Sequence, residues 1–232
     1  MLSNLPTYIS IVFGLTTLLT LFLFYRAFRV AARNASTANW ILIGLIGWLI
    51  LQGGLSIIGF YNADPQPVPP PFPLAVVPTF ILMAVLFLTK KGRAFIDALP
   101  LPHLHWIHIV RIPVEIVLYC LFLNHAVPEV MTFAGRNFDI IAGITAPVII
   151  YLAFSQKVGG KGLLIGWNIA MLALLINIVA TAILALPSNF QQIALDQPNW
   201  AVLNFPFSWL PAFVVPVVMF SHFATLRQLF RA

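Results

Sequence analysis

Phe72-Pro73-Leu74-Ala75-Val76-Val77-Pro78-Thr79-Phe80 recurs downstream as Phe205-Pro206-Phe207-Ser208-Trp209-Leu210-Pro211-Ala212-Phe213. Both copies place Phe-Pro, Pro and Phe at identical spacing, and each opens a long apolar run. Two further markers repeat in the same order. Ile11-Val12-Phe13-Gly14-Leu15-Thr16 is echoed by Ile140-Ile141-Ala142-Gly143-Ile144-Thr145, and Ile41-Leu42-Ile43-Gly44 by Leu163-Leu164-Ile165-Gly166. Self-similarity in fixed order points to a duplicated architecture. Here it predicts two copies of a three-helix unit with one unmatched helix between them.

Lipid is the expected solvent for this chain. Of its 232 residues, 61% are hydrophobic and 8% charged, whereas about a quarter of the residues of an ordinary soluble domain carry charge. Mean hydropathy is +0.98. Several apolar runs reach the roughly 20 residues that a spanning helix needs. The first ten residues hold no Lys or Arg, so the first apolar segment reads as a retained helix rather than a cleaved leader. Cys120 stands alone, so no intramolecular disulfide is available.

The pattern predicts an all-α polytopic membrane protein with seven transmembrane helices, over about 8–30, 39–60, 74–89, 104–123, 138–155, 162–186 and 205–226. It forms a single transmembrane domain of two parallel three-helix repeats, about 8–90 and 137–228, joined by a linker helix at about 103–124. Connections support the division. Pro65, Pro67 and Pro69-Pro70-Pro71 remove backbone donors and end a helix, and 187–199 forms a second Pro-bounded loop in the equivalent place. Pro78, Pro113, Pro147, Pro211 and Pro216 fall inside spans, where they are expected to kink the helices.

Charge placement sets an orientation. Arg26, Arg29 and Arg33 follow the first span, Lys90, Lys91 and Arg93 the third, Lys157 and Lys161 the fifth, and Arg227 and Arg231 the seventh. With alternating crossings, all ten fall on one side. The other side carries Asp64, Glu129 and Asp196, with Arg136 as its basic residue. Short-loop Lys and Arg mark the cytoplasmic face. The amino terminus is therefore expected outside and the carboxyl terminus inside, in a plasma or inner membrane. The formal charge of +6 reads as this bias, not as affinity for nucleic acid. Trp40, Trp106, Trp200 and Trp209 lie near span ends, as interfacial Trp should.

Seven helices in a 3+1+3 order with an external amino terminus resemble the plan of the SWEET sugar facilitators, and more loosely that of opsin-like proteins. The resemblance covers the whole chain as architecture and implies a solute pathway between the two units. SWEET proteins carry Pro-Gln motifs in their helices, and the Pro-Gln of this chain is Pro65-Gln66, in a loop. A covalent retinal would need a lysine within a span. Lys90, Lys91, Lys157 and Lys161 all lie at cytoplasmic ends, so no covalent retinal is expected.

Polar residues inside spans are costly and therefore informative. His108, Arg111, Glu115 and Tyr119 recur at spacings of three and four along one face of the fourth span, and Arg111 and Glu115 are one turn apart, a candidate ion pair. Either it faces a cavity and binds solute or protons, or it locks the linker helix to both units. Asn137 suits a helix N-cap and Asp139 the positive helix end. Asp139 is also the candidate outer wall of a cavity floored by Glu115. Asn168 and Asn177 in the sixth span, and Gln52 and Ser56 in the second, need hydrogen-bond partners, from a neighbouring helix or from a solute. Arg111, Glu115, Tyr119, Asp139, Asn168 and Asn177 make up the candidate substrate-binding set. His103, His105 and His108 cluster at the start of the fourth span. His108 and His222 are the pair expected to meet inside the bundle, a weak candidate for metal or haem. Hydrolase, metalloprotease and phosphate-loop signatures are missing. The leading expectation is a small-solute or proton-linked membrane transporter or binding protein. The alternatives are an intramembrane metal- or haem-dependent enzyme, and a receptor or assembly subunit without catalysis. Expected partners are the bilayer and a small solute, with a homo-oligomer or a partner subunit left open.

Overall fold

The computed structural model describes residues 5–32, 34–62 and 70–231. Arg33, Asp64 and the stretch Pro65 to Pro69, including Pro65-Gln66, lie outside the described residues. Among the described residues every regular element is helical. We number them α1 (Thr7–Ala31), α2 (Ala35–Ile57), α3 (Pro73–Leu88), α4 (Lys90–Asp97), α5 (Leu101–Leu123), α6 (Ile140–Ser155), α7 (Gly160–Leu184) and α8 (Leu210–Arg231). Three are composite. A 3-10 turn, Ile107–Val110, interrupts α5, and π turns close α6 (Tyr151–Ser155) and open α8 (Leu210–Val214).

Five helices, α1, α2, α5, α7 and α8, are long and apolar enough to cross a membrane. Their surfaces are arranged for lipid. α1 buries Thr16, Thr17 and Thr20 while exposing Leu15, Leu18, Leu19 and Phe22. The three hydroxyls bond back to the carbonyls of Val12, Phe13 and Thr16, so no buried donor is left over. The innermost helices are α5 and α8. Half of the most apolar window of α5 and 72% of that of α8 are buried, against 33% or less in α1, α2 and α7.

Two expected spans are shorter than a crossing helix. α3 has 16 residues and stops at Leu88, because Thr89 turns extended and its Oγ1 accepts from Gly92 N at 3.1 Å, capping α4. The chain bends by 89° at this elbow. The elbow is tight: a Cβ on Gly92 would lie 2.3 Å from the carbonyl oxygen of Leu86. α4, a separate basic helix, is therefore an element that the apolar pattern does not reveal. It is tied to the end of α8, where Asp97 accepts from Arg227 at 2.9 and 3.1 Å and from Arg231. α6 begins only at Ile140 and gives way to a turn in which Gly159 and Gly160 take φ of +76° and +52°, a region open to glycine at little cost.

The two Phe-Pro copies differ in local structure. Pro73 opens α3, whereas Phe205 and Pro206 stay in a turn ahead of α8. The side chains explain the difference. Trp209 Nε1 donates to Leu49 O at 2.8 Å, and a Cβ on Gly53 would lie 3.3 Å from both Phe205 and Trp209. The second copy is thus pressed against the backbone of α2.

Candidate functional site

Helix α5 carries the polar interior. Pro113 has no backbone donor, and the turn before Arg111 tightens to 3-10 geometry. Residues three apart eclipse in such a turn, which sets His105, His108 and Arg111 in one buried row. α6 lies directly on this row. A Cβ on Gly143 would fall 2.6 Å from the Ile112 side chain, and this close approach brings Asp139, one turn earlier, to Arg111.

The salt bridge joins Arg111 to Asp139, not to Glu115. Arg111 Nε donates to Asp139 Oδ2 at 2.6 Å and Nη2 donates to Oδ1. The planar guanidinium and the carboxylate meet fork to fork, a geometry that Glu115, on the same helix, does not reach. The sequence expectation of an Arg111–Glu115 pair is corrected accordingly. Asp139 is this partner rather than a helix-end charge alone. Asn137 is no simple cap. Its Oδ1 accepts from Asp139 N at 3.0 Å and its Nδ2 donates to Glu115 Oε1 at 2.5 Å and to Met131 O at 3.0 Å. Glu115 Oε2 has no hydrogen-bond partner among the described residues.

From Arg111 a chain of donors runs toward the start of α5. Arginine only donates, so the 3.2 Å contact from Nη1 makes His222 Nε2 an acceptor. His222 then carries its hydrogen on Nδ1 and donates to Asn168 Oδ1 at 2.9 Å. Asn168 Nδ2 donates to Leu164 O at 2.8 Å, which fixes the amide orientation, and to His105 Nε2 at 3.1 Å. His105 finally donates from Nδ1 to Leu101 O at 2.8 Å. Both imidazoles are neutral in this arrangement, each in a single tautomer. Leu101 and Glu115 are separated along α5 by about 21 Å, at 1.5 Å per residue, so the buried polar chain extends over much of a bilayer's depth.

His108 and His222 do meet, with ring centroids 4.0 Å apart. They pack on each other and on Trp167, leaving no gap between them for a haem plane. Their Nε2 atoms are engaged by Ser221 and Arg111. Ser221 Oγ lies 3.1 Å from His108 Nε2 but donates to Val218 O at 2.7 Å and is fully buried, so the pair does not present an exposed nucleophile.

Four of the six expected binding residues, Arg111, Glu115, Asp139 and Asn168, fall into this one network. Two do not. Tyr119 stacks on Phe133 with centroids 4.7 Å apart, and Asn177 is exposed, donating to Arg136 O at 3.1 Å. Gln52 and Ser56 serve packing: Gln52 accepts from Tyr61 Oη at 2.5 Å and Ser56 donates to Leu203 O at 3.3 Å. His105 and Asn137 belong to the network without having been singled out as binding residues, and Trp167 packs on its histidine rings while its Nε1 donates to Thr145 Oγ1. The signal for His105 was its spacing of three from His108.

A cavity of about 440 Å³ adjoins the carboxylate end of the network. It lies among the first half of α3, the second halves of α5 and α7, and the start of α8. Glu115 and Asp139 are its carboxylic acids among the described residues. Tyr61, Phe72, Phe80 and Phe190 contribute aromatic rings, and the remainder is mostly aliphatic. A larger groove of about 610 Å³ between α1, α2, α3 and α8 has, among the described residues, no Asp, Glu, Lys, Arg or His on its wall. The smaller cavity is therefore the candidate site.

Residues 72–230 match the family described as a domain of unknown function, DUF8737. The chain belongs to this family. The match begins just before α3 and includes every residue of the buried network. No curated protein and no solved structure matches the chain.

Proposed function

We propose that this DUF8737 member binds a small solute in the cavity beside Glu115 and carries it across the membrane, with proton movement linked to the same carboxyl. One observation carries the reading: Glu115 is a buried carboxyl whose Oε2 has no hydrogen-bond partner among the described residues, and its side chain borders a drug-sized cavity. A structural salt bridge accounts for Asp139 and Arg111, but it does not account for Glu115.

The proposal includes a seven-crossing topology in which α3 and α6 are the short crossings. It also includes two parallel repeats about α5, an external amino terminus, a cytoplasmic carboxyl terminus and residence in a plasma or inner membrane. The ordered sequence markers and the one-sided Lys and Arg support this topology. α4 then lies along the cytoplasmic surface, at a right angle to α3 and with its basic residues toward the headgroups. The cavity takes walls from α3 in the first repeat, from α5, and from α7 and α8 in the second, the place where parallel-repeat transporters hold solute.

The test is flux in liposomes. Wild-type protein should move protons and at least one member of a broad solute panel. Glu115→Gln keeps the shape and should abolish the coupled proton flux. Ala182→Phe, on the α7 wall, should reduce solute flux by filling the cavity. Equal fluxes in wild type and Glu115→Gln would refute the proposal.

A further inference from the structure

We infer that the solute is a lipophilic organic monocation, and that it exchanges one for one with a proton at Glu115. This inference rests on the solute-binding reading above and names its substrate class. Three independent features converge on the cavity. Among the described residues its wall has no Lys, Arg or His, and its carboxylic acids there are Glu115 and Asp139. Phe72, Phe80 and Phe190 bring aromatic rings to its wall, and organic ammonium groups are attracted to such rings through cation–π interaction. Arg111 neutralises one carboxylate through the fork to Asp139. One positive charge set against two ionised carboxylates leaves one negative charge without a partner, at the acid whose Oε2 is free.

That charge is balanced by one proton or by one bound monocation. The exchange conserves charge: the cation enters, the proton leaves Glu115, and the cavity's net charge is unchanged. No bond other than the O–H of the carboxyl is broken. The groups facing Glu115 are Asn137, Asp139 at the N-cap of α6 and, through Asp139, Arg111 from α5. Across the cavity stands Tyr61, whose phenol burial pushes up, the hydrogen bond with Gln52 pulling back. Tyr61 thus remains neutral. α3, α7 and α8 add no ionisable side chain to the wall. An inorganic cation is disfavoured, because an almost wholly apolar wall cannot replace its water shell. An anion would face acids alone.

The experiment titrates purified protein in a neutral detergent with benzyltrimethylammonium chloride, reading heat and proton release in weak buffer. Neopentylbenzene, the uncharged isostere, is the comparison ligand. The expected result is saturable cation binding with about one proton released per cation. Affinity should climb toward tenfold per pH unit where the proton competes fully. Glu115→Gln should lose the proton release and at least tenfold in affinity. Phe80→Leu, which leaves the carboxyl intact, should weaken cation binding several-fold and keep the proton release, and it tests the ring contribution should Glu115→Gln fail to fold. Cation binding without proton release, or unchanged in Glu115→Gln, overturns the inference. Tight binding of neopentylbenzene with no binding of the cation overturns the cation class but leaves the cavity reading standing. If neither ligand binds, both readings fall.

Discussion

At the scale of the residue, the decisive choice is Arg111's. Spacing along α5 favours Glu115, one turn away, yet the guanidinium takes Asp139 from another helix. Local spacing is readable in a sequence, but a bidentate contact across 28 positions is not, because it depends on how closely Gly143 lets α6 approach Ile112. This is why the sequence identified Arg111, Glu115, Asp139 and Asn168 as members and still paired them wrongly. A prediction follows from the geometry. Arg111→Ala leaves Asp139 buried without its cation and should cost about 3–5 kcal/mol, read as a large fall in melting temperature in detergent. Arg111→Lys restores a positive charge but not the fork, and should recover only part of that loss. Arg111→Ala combined with Asp139→Asn should be less damaging than the sum of the two single changes, because the stranded charge is gone. A lysine variant as stable as the wild type would show that charge alone, without geometry, suffices here.

At the scale of the element, the apolar pattern located the helices well and their interruptions poorly. α1, α2, α5, α7 and α8 stand where runs of twenty or so apolar residues place them. The elbow between α3 and α4 was hidden, because hydropathy falls at Lys90 whether a helix ends or merely leaves the lipid. The cue was Thr89 with Gly92 three residues on, a capping acceptor and a position with room for no side chain. Gly92→Ala should therefore be severe: its Cβ would meet backbone atoms of Leu86 at 2.3 and 2.6 Å, and backbone cannot rotate away. The expected outcome is an opened elbow, loss of the Asp97–Arg227 pairing and a lowered melting temperature. Gly44→Ala, on α2, where an added Cβ meets nothing within 4 Å, should leave stability unchanged or slightly raised, since alanine favours helix by about 1 kcal/mol over glycine. If the two alanine variants behave alike, close approach at Gly92 is not what shapes the elbow.

At the scale of the whole molecule, the two short helices decide the topology, and four exposed positions can report on them. Lys91, Glu129, Lys161 and Asp196 are all exposed and follow successive expected crossings: Lys91 at the start of α4, Glu129 between α5 and α6, Lys161 at the start of α7, and Asp196 between α7 and α8. In a Cys120→Ala background, single cysteines at these positions can be probed on intact cells with a membrane-impermeant maleimide. Seven crossings with the amino terminus outside require cysteines at 129 and 196 to react and those at 91 and 161 to stay protected until the membrane is opened. Each failure has its own signature. Should α6 re-enter rather than cross, position 161 moves to the side of 129, and 196 switches with it because α7 is long enough to cross regardless. Should α3 fail to cross while α6 does, 91 joins the outer face and every later position inverts. A reversed orientation with all seven crossings intact gives these same four results, and a fifth cysteine, at exposed Asn34 between α1 and α2, separates the two: it stays protected if α3 fails to cross and reacts if the orientation is reversed. The expected pattern also places the Glu115 cavity in the outer half of the bilayer. The neutral His105–Asn168–His222 chain then lies between that cavity and the cytoplasm, so a proton leaving Glu115 inward along that chain must pass Arg111, which holds its own protons and accepts none. With no side-chain relay past Arg111 among the described residues, a proton exchanged with the inner face travels through the cavity itself, by the same opening that admits the solute from that side.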